Sequence, residues 1–154
     1  QVMRRYHIQG RDDYAAYNRL VGLVTKLAST LKKLPASDSE RIELTEALLG
    51  RLYDLGVIPT KRSLADVAAL STSAFARRRL AIVMVRLRMA DTPKAATAFV
   101  EAGHVRVGPA PVTDPAFHVS RSAEDWVTWT DTSGIKRRVA AYNDAVDDFD
   151  LLEA

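Results

Sequence analysis

The chain has 154 residues, no cysteine and a net charge of +3, with 47% apolar and 27% charged residues. That is globular rather than disordered composition, and the missing thiols exclude a disulfide framework, zinc fingers, iron–sulfur clusters and thiol catalysis. The length suits one domain, or a small domain with helical additions, able to bury roughly two-thirds of its unfolded surface. No apolar run approaches the ~20 residues that cross a bilayer, and Gln1-Val2-Met3-Arg4-Arg5 lacks the apolar core of a signal peptide, so neither membrane insertion nor secretion is expected. Charge is unevenly spread. Residues 1–59 carry 9 basic and 7 acidic side chains, residues 60–110 carry 9 and 3, and residues 111–154 carry 4 and 9. The middle third is the part suited to a polyanion, and the acidic final third is better suited to protein partners.

After Gly10, the residues Tyr17, Leu20, Val21, Val24, Leu27, Ala28, Leu31 and Leu34 recur at three- and four-residue steps. They predict one amphipathic helix whose stripe reads as intramolecular core and which Pro35 ends. Ser37-Asp38-Ser39-Glu40 reads as a capping box, Leu44, Leu48, Leu52 and Leu55 stripe a second helix, and Gly56 falls at a left-handed C-cap. Ser63 to Leu70 reads as a short third helix, and Ser73 to about Met89 as a fourth, rich in arginine and aliphatic residues. Thr92 can cap a fifth, with Pro93 in its first turn and Gly103 at its end. His104-Val105-Arg106-Val107 then alternates as a half-buried strand does, Gly108-Pro109 turns, and Thr113 to Val119 is extended around Pro115. Trp126-Val127-Thr128-Trp129 is a second strand candidate, with one tryptophan in the core and the other free for a partner or a terminal helix. Thr132-Ser133-Gly134 turns the chain, and Val139 to Leu152 predicts an acidic terminal helix.

On a helical wheel, Leu80, Val83, Met84 and Leu87 form a keel within ~100°. Arg79 and Arg86 fall on one flank, Arg77 and Arg88 on the other. With Arg78, that makes five arginines and no acidic residue between Ser71 and Ala90, where an ion-paired surface helix would alternate sign. These rails therefore read as ligand-facing, and reversing Arg79 and Arg86 together is expected to weaken binding of that ligand without unfolding. Lys94, beside the free amides and positive dipole end of the helix that Thr92 starts, suits a phosphate. Arg106 points to the same side of its strand as His104. Guanidinium groups engage phosphates bidentately, which favours arginine over lysine. His7, His104 and His118 have no metal-ligand spacing, and no cofactor is implied. Lys136-Arg137-Arg138 reads as an exposed turn, as an extension of the basic surface or as a weak nuclear signal. Gly50-Arg51-Leu52-Tyr53-Asp54 faintly resembles the aspartate motif of pseudouridine synthases, but it carries an extra tyrosine, sits mid-helix and leaves no room for a catalytic domain.

The run RRRLAIVMVRLRMADTPKAATAFVEAGHVRVG resembles the RNA-binding domain of small-subunit ribosomal protein S-four (S4), the alpha-L motif. The marks are an arginine-led helix ending in R-L, a Thr-started second helix, then G-H-V and a strand ending near glycine. The resemblance covers about residues 73–130, and residues 12–70 resemble the helical region before that domain in archaeal and eukaryotic members. GHVRVGPAPVTDPAFHVSRSAEDWVTW is more similar still to the nucleolar branch of the family, carried by the U-three (U3) small nucleolar ribonucleoprotein. The resemblance implies an α+β fold: an N-terminal helical region over 1–72, an S4-type domain with a small antiparallel sheet over 73–130, and a turn and acidic helix over 131–154. It implies a non-enzymatic assembly factor of the nucleus and nucleolus, working in the small-subunit processome. Its RNA partners would be U3 small nucleolar RNA and pre-ribosomal RNA, which it would help anneal, and its protein partners M-phase phosphoprotein ten and other processome proteins. RNA-facing candidates are Arg77, Arg78, Arg79, Arg86, Arg88, Thr92, Lys94, His104 and Arg106. Thr97 stands where many bacterial members carry arginine, and Gly108-Pro109 replaces the usual Asn-Gly turn. A resident ribosomal protein and a protein-interaction adaptor are the alternatives.

Overall fold

The structure, a computed structural model, describes residues 1–142. Helices α1 (Val2–Arg5), α2 (Arg11–Lys32), α3 (Ser39–Leu55), α4 (Ala65–Ala68), α5 (Thr72–Ala76), α6 (Leu80–Arg86) and α7 (Pro93–Glu101) precede three short strands, β1 (Val105–Val107), β2 (Ala110–Pro111) and β3 (Val127–Trp129). The sheet is antiparallel in the order β2-β1-β3, with Val107 opposite Ala110 and Val105 opposite Trp129. Helices plus a small antiparallel sheet make the α+β class that the sequence implies. Residues 134–142 are helical, so the terminal helix begins before Val139; its expected continuation over 143–152, with Asp147, Asp148 and Asp150, lies outside the described residues.

Local chemistry accounts for most of the element ends. At the start of α3 the cap is Asp38 rather than Ser37, its carboxylate accepting from the amides of Glu40 and Arg41. Gly56 closes α3 at φ 83°, and Val57 N–H donates back to Leu52 O in a Schellman arrangement. Thr92 caps α7 through Ala95 N–H, and Pro93 fills the first turn, as read from the sequence.

The apolar residues divide into two main clusters. One packs Ala28, Leu31, Leu49, Leu52, Ile58, Val67 and Phe75 from α2 to α5, with Tyr17 stacked on Phe75. The other packs Leu80, Val83, Met84, Ala96, Val100, Val105, Val119 and Trp129 between α6, α7 and the sheet. Trp129 meets Phe99 edge-on, whereas Trp126, at the end of a 3-10 turn, stays exposed; the two tryptophans part as their spacing requires. Leu20 and Leu27, expected in the stripe of α2, are instead exposed, because the core meets only the Val21–Val24–Ala28–Leu31 side of the helix.

The two clusters are joined where α3 ends. Arg121 lies over the Tyr53 ring and donates to the carbonyls of Tyr53 and Ile58, its own amide donates to Asp54 O, and His118 Nε2 donates to Leu55 O. The carbonyls of Tyr53, Asp54 and Leu55 belong to the last turn of α3, whose acceptors have no further intrahelical amide to meet, and a cation there also faces the negative dipole end. Burial, and to a lesser degree the nearby Arg78 charge, outweigh the opposing pull of the Leu55 carbonyl and hold the His118 pKa below its ordinary 6.5. The folded state therefore binds fewer protons than the unfolded state just below pH 6.5, and stability should fall as pH drops through that window. Urea midpoints measured between pH 7.5 and 5 should decline, and His118→Gln should flatten that decline. An unchanged slope in the variant would remove His118 as its source.

Candidate nucleic-acid interface

The expected single helix from Ser73 to Met89 is broken. Arg77 and Arg78 form a turn after α5, and Arg79 is extended at φ −66°, ψ 141° as the N-cap of α6. The break exists because the backbone pairs with a distant extended segment: Val119 N–H donates to Arg78 O, Leu80 N–H to Phe117 O, and Arg79 bridges His118. No wheel drawn through this run describes it, so the two arginine rails do not form.

The arginines separate by environment. Arg78 is buried at 5% exposure; its Nε donates to Val119 O, one terminal nitrogen to Ser120 O and the other to Glu124. A Cβ on Gly56 would come within 2.8 Å of that guanidinium, so the glycine serves both the left-handed turn and the close approach. Arg79 is buried at 4% and faces the other way, toward Asp13 at 3.2 Å and the Tyr17 hydroxyl at 3.0 Å on α2. Arg86 is exposed and shares Glu124 with Arg78. The carboxylates missing between Ser71 and Ala90 are thus supplied from 38 to 66 residues away. Arg78 and Arg79 are tie-points of the fold, and this corrects the expectation that reversing Arg79 and Arg86 together would leave the fold intact.

Of the expected RNA-facing cations, those both exposed and without an ion-pair partner among the described residues are Arg77, at the end of α5, and Arg88 and Lys94, on either side of the α6–α7 turn. Arg88 sits at φ 61°, a left-handed conformation that costs a residue with a Cβ roughly 1 kcal/mol and that glycine adopts freely. The exposed Thr92 spends its hydroxyl on the cap. Thr97 is buried with its hydroxyl on Pro93 O, so it turns into the core. On the sheet, Arg106 donates to Gly108 O and lies 3.8 Å from Asp131, while His104 Nδ1 meets Ser133 Oγ at 3.0 Å. Lys136 pairs with the same Asp131 and holds its carboxyl below the usual range. Arg137 and Arg138 are exposed on a helix, not a turn.

The structure adds cations that the sequence reading did not single out. Lys61 and Arg62 are exposed in the loop after α3, where Pro59 lines both the cleft they border and the adjoining cleft of Arg77. A basic pair after a proline was the available signal. Glu124, the carboxylate that organises two arginines, had none, because its role depends on a residue 46 positions away.

A helical unit leading into two helices and a three-stranded antiparallel sheet, with cations around the α6–α7 turn, defines an S4-domain protein. Residues 78–125 match the S4 domain family, and residues 1–92 match the ribosomal protein S4/S9 N-terminal domain family. The U3 small nucleolar ribonucleoprotein protein IMP3 of Homo sapiens is 54% identical over 98% of this chain and 82% of its own length. That of Saccharomyces cerevisiae is 48% identical over 98% and 83%. The small ribosomal subunit protein uS4 of Picrophilus torridus is 30% identical over 86% and 73%. The chain belongs to the ribosomal protein S4 family, in the branch of the U3 small nucleolar ribonucleoprotein protein IMP3.

Proposed function

We propose that this chain is a non-enzymatic RNA-binding assembly factor of the U3 small nucleolar ribonucleoprotein in the nucleolus. The observation that carries this reading is near-full-length similarity to proteins of that particle, at an identity well above that to resident ribosomal proteins. The exposed cations Arg77, Arg88 and Lys94, with no ion-pair partner among the described residues, supply its physical basis. The RNA partners are U3 small nucleolar RNA and pre-ribosomal RNA, and the protein partners are M-phase phosphoprotein ten and other processome proteins. Neutralised phosphates release counterions, and A-form grooves are met through backbone shape, 2′-hydroxyls and unpaired bases. Lowering the repulsion between two strands speeds their pairing and requires no catalytic residue.

Annealing of dye-labelled U3 and pre-ribosomal RNA segments tests this directly. The chain should raise the pairing rate by about tenfold or more at low salt, and the gain should vanish as ionic strength rises. Tight binding with no change in pairing rate would remove the annealing role and leave RNA binding alone.

A further inference from the structure

The apolar residues of α2 serve two faces, of which only one has a partner among the described residues. Val21, Val24, Ala28 and Leu31 pack on the core. Leu20, Leu23 and Leu27 are 44%, 67% and 46% exposed. At ~100° per residue these three leucines fall within ~60° of one another, beside the buried stripe. Alongside them run Arg19, Lys26 and Lys33, seven residues apart and all exposed, with no ion-pair partner among the described residues. Leucine at three- and four-residue steps with a cation row beside it is the pattern a helix presents to a second helix. The helix is 22 residues, or about 33 Å, long enough to seat about three heptads of a partner.

We propose that this face of α2 is a docking site for an acidic amphipathic helix of a protein partner. Such a helix would lay its apolar stripe on Leu20, Leu23 and Leu27 and set its carboxylates against Arg19, Lys26 and Lys33. Charge selects this occupant. A second copy paired through the same face would bring two rows of cations together. RNA would leave the leucines facing phosphate and water. The site is separate from Arg77, Arg88 and Lys94 and does not depend on how those residues bind RNA.

The probe is a synthetic helix of about three heptads with leucine at the a and d positions and glutamate at e and g, compared with the same peptide carrying lysine at e and g. Fluorescence anisotropy with the whole chain should show the glutamate peptide binding and the lysine peptide failing. Leu23→Ser should weaken binding at least tenfold with an unchanged melting temperature and unchanged RNA affinity. Arg19→Glu with Lys26→Glu should reverse the peptide preference. Equal binding of the two peptides, no binding of either, or full affinity in Leu23→Ser would each overturn the proposal. So would a dimer that Leu23→Ser dissociates, which would assign the face to a second copy, or RNA affinity lost in Leu23→Ser, which would assign it to RNA.

Discussion

Arg78→Ala is expected to destabilise the fold by about 3 kcal/mol, lowering the melting temperature by roughly 6–12 °C. The side chain is buried, and its removal strips donors from the carbonyls of Val119 and Ser120 and leaves Glu124 with Arg86 alone. Losing one member of a buried pair costs about 3–5 kcal/mol, and the partial exposure of Glu124 sets the expected loss at the low end. Lysine should not rescue, because one ammonium cannot reproduce a fork that reaches three acceptors. Arg79→Glu should be as damaging, since it turns a buried carboxylate toward Asp13. Urea denaturation of both variants measures this. A loss of under ~0.5 kcal/mol, the usual range for surface positions, would return these two arginines to the surface.

The second large effect should separate binding from folding. In Arg77→Ala, Arg88→Gly, Lys94→Ala, RNA affinity should fall about 30- to 100-fold near 0.15 M salt. The slope of log affinity on log salt should shrink by about 2–3, roughly one unit for each phosphate that is no longer neutralised. Stability should hold or rise, because glycine relieves the left-handed conformation that Arg88 now occupies. That opposition of signs is the useful feature, since no general unfolding weakens binding while raising the melting temperature. An unchanged salt slope would mean that these cations do not meet phosphate.

Much of this fold is legible in the sequence because its element ends use short-range chemistry. Gly56, Thr92-Pro93 and the alternation of Val105, Arg106 and Val107 each act within a few residues, and each falls where the pattern puts it. The helix over 73–89 fails for the complementary reason. Nothing between Ser71 and Ala90 signals that residues 117–119 will pair with the backbone at Arg78 to Leu80 and pull Arg79 out of helical geometry. Charge counting fails at the same place. Five arginines without a local carboxylate look free, yet Asp13 and Glu124 reach three of them through the folded chain. Arg77 and Arg88, read in the same way, are the two that remain exposed and unpaired among the described residues. Sequence therefore shows the middle third to be basic, but only packing divides cations that hold the fold from cations that can meet a ligand.

We propose that this S4 domain meets the RNA of the U3 particle through its exposed cations and not through its buried arginines. Crosslinking the protein in cells, sequencing the attached RNA and mapping the crosslinked peptides tests both halves at once. U3 and pre-ribosomal RNA should be enriched together, with crosslinks around Arg77 and from Arg86 to Lys94. Recovery of mature small-subunit RNA alone would contradict it and make this a resident ribosomal protein.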